Sequence, residues 1–132
     1  MNMSLLNKQN KKDIVPLDLD IGICFTGEIS WSKKKCESIH STMEKFVKEN
    51  IINILKDKQF AISKFVNIFR RKGMDYDPDI LDIIYCYEQE SSGNNITLYF
   101  KEVTNGIIMP IVMIDIGVND DQIYNAFMTI LN

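Results

Sequence analysis

Histidine occurs once in this chain of 132 residues, tryptophan once, cysteine and proline three times each and glycine six times. These scarcities exclude a good deal. A serine or cysteine nucleophile needs a base within hydrogen-bond reach, and His40 is the one histidine on offer. Cys24, Cys36 and Cys86 are odd in number and widely spaced, so they close no disulfide framework. They read as reduced, mostly buried thiols of a cytosolic protein. The glycines are scattered, and no GxGxxG or GxxxxGKS phosphate loop appears. No apolar run reaches the roughly 18–20 residues that a membrane-spanning helix needs. Repeats, linkers and low-complexity segments are also missing.

What the chain does contain is an ordinary globular mixture, 45% apolar and 25% charged. A chain of this length suits one domain and can bury about two-thirds of its unfolded surface, so no disulfide or structural metal is required. Residues 1–13 place Leu5 and Leu6 before the basic Lys8, Lys11 and Lys12. A secretory signal has the opposite order, with charge first and a longer apolar stretch after it. The expectation is a solvated tail over 1–13 and a single domain over 14–132. The 21 Ile, 13 Lys and 12 Asn against 8 Leu fit an AT-rich coding background.

Periodicity then assigns the elements. Leu17, Leu19, Ile21, Ile23 and Phe25 alternate with polar or small residues, the pattern of a half-buried strand, with Pro16 at its start. Ser30 or Ser32 can cap the helix that follows. Its apolar stripe runs through Cys36, Ile39, Met43, Phe46, Val47, Ile51, Ile54 and Leu55. The stripe breaks near Asp57 and resumes at Ala61, Ile62, Phe65, Val66 and Phe69, which predicts two helices, with one long bent helix as the alternative. Arg70-Arg71-Lys72-Gly73 is a helix stop, with cations in the last turn and a glycine after it. Three strands follow, 80–89, 96–103 and 107–116, the last two joined through Asn105-Gly106, a strong hairpin signal. Residues 107–116 are apolar on both faces, which predicts a central strand with a bulge at Pro110. A last helix is expected from Asn119, with Gln122 completing a capping box and Ile123, Ala126 or Phe127, Ile130 and Leu131 on its buried side. The order β-α-α-β-β-β-α predicts an α+β fold, a mainly antiparallel four-stranded sheet with helices packed on one face.

The candidate chemical sites are thin. Cys36 and His40 share a helix face, but no CxxC or HxxxH completes a tetrahedral metal site. Asp75-Tyr76-Asp77-Pro78-Asp79 imitates a calcium loop, yet Ile80 and Cys86 stand where glycine and glutamate are needed. It reads as an acidic turn stiffened by proline. Asp18, Asp20, Asp82 and Asp115 lie on strands among apolar residues, as on a solvated sheet face, and nothing in the sequence pairs them for acid–base work. Neither a metal nor a cofactor is expected, and the chain does not read as an enzyme.

Charge is the informative feature. Residues 1–72 hold 14 Lys and Arg against 8 Asp and Glu, a net of +6, whereas residues 73–132 hold Lys101 alone against 10 Asp and Glu, a net of −9. An acidic half carrying tyrosines fits a basic protein partner, because unlike charges steer encounter and tyrosines anchor interfaces. The expected partner-binding residues are Asp75, Tyr76, Asp77, Asp79, Asp82, Tyr85, Tyr87, Glu88 and Glu90. The function this favours is a small acidic inhibitor of the kind bacterial immunity proteins represent. Such a protein neutralises a basic toxin, such as a nuclease, by direct binding in the cytoplasm, as a monomer or homodimer. One alternative is a homodimeric secretion chaperone or adaptor with Phe127, Met128 and Leu131 exposed. The other is a nucleic-acid-binding module using Lys33–Lys35 and Arg70–Lys72. The lysines sit in a first helical turn, where the backbone dipole disfavours cations by roughly 0.3–1 kcal/mol each.

Overall fold

The computed structural model describes residues 19–91 and 93–131; the expected tail over 1–13, and Pro16, Leu17 and Asp18, lie outside them. The elements are β1 (Leu19–Phe25), α1 (Lys33–Lys56), α2 (Lys58–Arg71), β2 (Leu81–Glu90), β3 (Gly93–Thr104), β4 (Ile107–Val118) and α3 (Asp121–Leu131). Short 3-10 turns occupy Glu28–Ser30 and Pro78–Ile80. The four strands form one sheet in the order β1-β4-β3-β2, every neighbouring pair antiparallel. This is the expected α+β architecture.

Local chemistry sets the helix ends. Ser32 Oγ accepts from the Lys35 amide at 3.2 Å and starts α1. Asp57 ends α1 in an extended conformation and caps α2, its Oδ1 accepting from the Phe60 amide at 3.1 Å. One residue therefore divides a long apolar stripe into a helical hairpin. Inside α1 the backbone leaves helical geometry at Asn50, whose Nδ2 donates to the Phe46 carbonyl at 3.0 Å. At the end of α2, Gly73 adopts φ of 87°, and the amides of Gly73 and Met74 donate back to the carbonyls of Arg70 and Phe69. Only a residue without a Cβ takes that backbone turn cheaply. The last helix starts one residue later than expected. Asp120, not Asn119, is its cap, and the Asp120 Oδ1 accepts from the amides of Gln122 and Ile123 at 2.8 and 3.3 Å. A carboxylate at the positive end of the helix dipole is a stronger acceptor than an amide oxygen.

Asn105 and Gly106 turn the β3–β4 hairpin with φ of 51° and 80°, the positive values that a tight hairpin turn demands. The register shifts beside Phe100 and Lys101, which pair with Val112 and Pro110, so Ile111 is the extra residue of a bulge. Proline has no amide to offer the ladder, which explains the place of the irregularity. β4 is central, as expected, but it is not covered on both faces. Ile107, Ile108 and Met109 are exposed because β3 and β4 outrun their neighbours. β1 reaches only to Val112 and β2 only to Glu102, which leaves a two-stranded arm beyond the sheet.

The helices lie on one face of the sheet. Phe100 stands between Phe65 (ring centroids 5.2 Å apart, edge to face) and Phe69 (6.1 Å, stacked), and Phe25 meets Phe69 at 5.8 Å. Ile114, Ile116, Ile96 and Leu98 extend this core beneath α3, which adds Ile123, Tyr124, Ala126 and Phe127. Among the described residues no helix is long and apolar enough to cross a membrane.

Candidate protein-binding surface

The acidic segment begins as a turn. Asp77 Oδ1 accepts from the Asp79 amide at 3.0 Å, and Pro78 fixes the first residue of the 3-10 turn. Asp75, Asp77 and Asp79 are all exposed there. Two of the expected carboxylates are met by the chain's own cations. Arg70 Nε lies 3.2 Å from Asp75 Oδ1, and Lys58 Nζ lies 3.2 Å from Asp82 Oδ1. Both pairs are solvent-exposed, and such pairs are worth about 0–1 kcal/mol, so an incoming cation can replace either one. Among the described residues no ion pair engages Asp77 or Asp79.

The expected tyrosines serve the fold. Tyr76 packs edge to face on Phe69 at 5.3 Å, and the Tyr85 hydroxyl donates to the Ile54 carbonyl at 2.6 Å, holding β2 to the end of α1. Tyr87 is half-buried against the same core. Strand alternation puts Leu81, Ile83, Tyr85 and Tyr87 on the helix side of β2 and Asp82, Ile84, Cys86 and Glu88 on the other. The expected residues of β2 are thus divided between two faces. The side chain of Glu90 lies outside the described residues.

Burial pushes the Tyr85 hydroxyl up to about 12, helped by nearby Tyr87, Asp57 and Asp82. A raised acid favours the folded state below its unfolded value near 10, and that contribution disappears as pH rises through about 12. Stability should therefore fall between those values, and Tyr85→Phe should flatten that alkaline limb while costing about 1 kcal/mol at neutral pH. Urea unfolding across the pH range measures both.

The remaining candidates resolve as ties within the fold. His40 Nε2 lies 2.7 Å from Glu28 Oε1, which also accepts from the Phe25 amide at 3.2 Å, and Cys36 Sγ approaches the Glu28 carbonyl at 3.7 Å. The hydrogen bond from His40 holds the Glu28 carboxyl below its usual range. Cys36 and His40 do share a helix face, and Glu28 is the partner that sequence spacing missed. The cysteines are not mostly buried as expected: Cys24 is exposed, because strand alternation turns it away from the helices, and Cys36 and Cys86 are half-buried. A surface depression of about 550 Å³ begins at His40, but Glu37, Ser41, Glu44, Lys45, Lys48 and Glu49 all belong to the same helix, so no second element converges there. Phe127 is buried and Met128 packs on the core, so neither offers the exposed apolar face an adaptor would need; the Leu131 side chain lies outside the described residues. Lys72 Nζ donates to Ser38 Oγ, which sets the Arg70–Lys72 end of α2 beside the opening turns of α1 that carry Lys33–Lys35. No family model, no curated protein and no solved structure matches the chain.

Proposed function

We propose that this chain is a protein-binding inhibitor of the immunity type, which neutralises a basic protein partner, a toxin such as a nuclease, by direct contact. The observation that carries this reading is the separation of charge. The half from residue 73 onward bears −9, with Asp75, Asp77 and Asp79 exposed on one stiffened turn. Exposed charge of one sign steers an oppositely charged macromolecule and raises its rate of encounter. The two internal ion pairs do not oppose this, because each is a weak surface pair that a guanidinium or ammonium of the partner can exchange. Binding in this reading needs no bond chemistry, and it acts by covering the partner's own working surface.

The test is co-expression with a basic toxin encoded beside the chain, followed by sizing and an activity assay of the toxin. The expected outcome is a one-to-one complex in which the toxin is inactive. A toxin that stays active and elutes alone would overturn the reading.

A further inference from the structure

The sheet face turned away from the helices carries a pattern that neither the core nor the acidic turn requires. Register places Cys24, Met113, Tyr99 and Ile84 in one row across all four strands. All four are exposed, the last three at 37%, 39% and 41%. Beside this apolar row runs Gly22, Asp115, Thr97 and Cys86, and beyond it Asp20, Gly117, Asn95 and Glu88. Asp115 is held in place, with Thr97 Oγ1 donating to its Oδ1 at 2.8 Å and Asn95 Nδ2 approaching the same atom at 3.4 Å. Across the β1–β4 pair each aspartate faces a glycine, Asp20 opposite Gly117 and Asp115 opposite Gly22. A Cβ added at Gly117 would come within 3.5 Å of the Asp20 Cβ, and one at Gly22 within 4.0 Å of the Asp115 Cβ. The missing side chains thus leave room beside two carboxylates, a notch on an otherwise flat face.

We propose that this open face is the docking surface for a cationic segment of a partner protein. The segment lays apolar side chains along Cys24, Met113, Tyr99 and Ile84 and sets a lysine or arginine head into the Asp20–Asp115 notch. This rests on the reading of a basic partner given above and names its contact surface. Charge complementarity selects the occupant. Asp20, Asp82, Glu88 and Asp115 share the face; among the described residues its strands carry one cation, Lys101, which is buried, and Lys58 meets Asp82 in an exposed pair at one edge. A second copy would set carboxylates against carboxylates, which argues against self-association through this face. Strand spacing of ~4.8 Å and a rise of ~3.4 Å per residue give the face roughly 700 Å², close to the ~800 Å² each side supplies in a standard interface. Within that area the β3–β4 arm contributes exposed Val103 and Ile108, which pair across it, while Ile107 and Met109 lie on the arm's other face. Such apolar groups on protruding strands mark contact surfaces.

The probe is an extended octapeptide alternating lysine and valine, with the glutamate–valine peptide as control. Affinity is read by fluorescence anisotropy and contact by maleimide labelling of Cys24 followed by mass spectrometry. The lysine peptide should bind and slow Cys24 labelling at least tenfold, and the glutamate peptide should do neither. Gly22→Thr, which fills the notch with a residue suited to strands, should keep the folded circular dichroism spectrum and weaken binding at least tenfold. Tyr99→Lys with Met113→Lys should abolish it. Binding that leaves Cys24 unprotected, or that Gly22→Thr does not change, would overturn the proposal. So would Cys24 protection in the free monomer, which means a segment of this chain covers the face, or in a free dimer, which means a second copy does. A basic toxin that is inhibited while Cys24 stays reactive would sink this surface and leave the inhibitor reading standing. Active toxin beside a protected, peptide-bound Cys24 would do the reverse.

Discussion

Phe100→Ala is expected to destabilise the fold by about 3–5 kcal/mol, the usual cost of truncating a fully buried phenylalanine. Phe100 has no exposed surface, and its ring joins α2 to the sheet, between Phe65 and Phe69. It also sits in register between Ile83 of β2 and Val112 of β4, at the edge of the bulge, so the neighbouring strands have little freedom to collapse into the void. Domains of this size hold about 5–15 kcal/mol in all, so this one change removes a large share. Phe46 supplies the contrast. It stacks on Phe60 at 6.3 Å but is only partly buried, so Phe46→Ala should cost clearly less. Urea unfolding of both variants measures the difference; equal losses would mean that the core is not centred on Phe100.

The second large effect concerns association. Reversing Asp75, Asp77 and Asp79 to lysine together moves the net charge of the chain from −3 to +3. The rate of association with a basic partner should drop at least tenfold at low ionic strength, and the dissociation rate should change much less. Steering charges at an interface rim act on encounter, whereas buried anchors act on release. The fold should tolerate the triple change. It removes one exposed ion pair, Arg70 with Asp75, and one turn hydrogen bond, from the Asp79 amide to Asp77, which together amount to about 1–2 kcal/mol. Stopped-flow kinetics alongside thermal unfolding separates the two. An unchanged association rate would remove the acidic turn from the encounter.

Much of the architecture was legible because local chemistry determined it. Asp57 divides the helical stripe by capping, Gly73 and Asn105-Gly106 need positive φ, and Pro110 lacks the amide a regular ladder would use. Features set by pairing were not legible. That β3 and β4 outrun β1 and β2 depends on the lengths of partner strands, so Ile107, Ile108 and Met109 read as part of a central strand and emerged exposed. The Tyr85 bond to the Ile54 carbonyl spans 31 residues, and that of His40 to Glu28 joins a helix to a turn. The division of the candidate site could have been foreseen. Asp82 and Glu88 share one parity along β2 and Tyr85 and Tyr87 the other, and a strand sends the two parities to opposite faces. The glycines opposite Asp20 and Asp115 left no such signal, because only the β1–β4 register brings them together.

The salt dependence of binding tests the central claim most directly. A chain that recognises its partner through exposed carboxylates should associate with a basic toxin rapidly at low ionic strength, and its association rate should fall by an order of magnitude or more on going to physiological salt. An association rate that does not change with salt, or no complex at low ionic strength, would contradict the account.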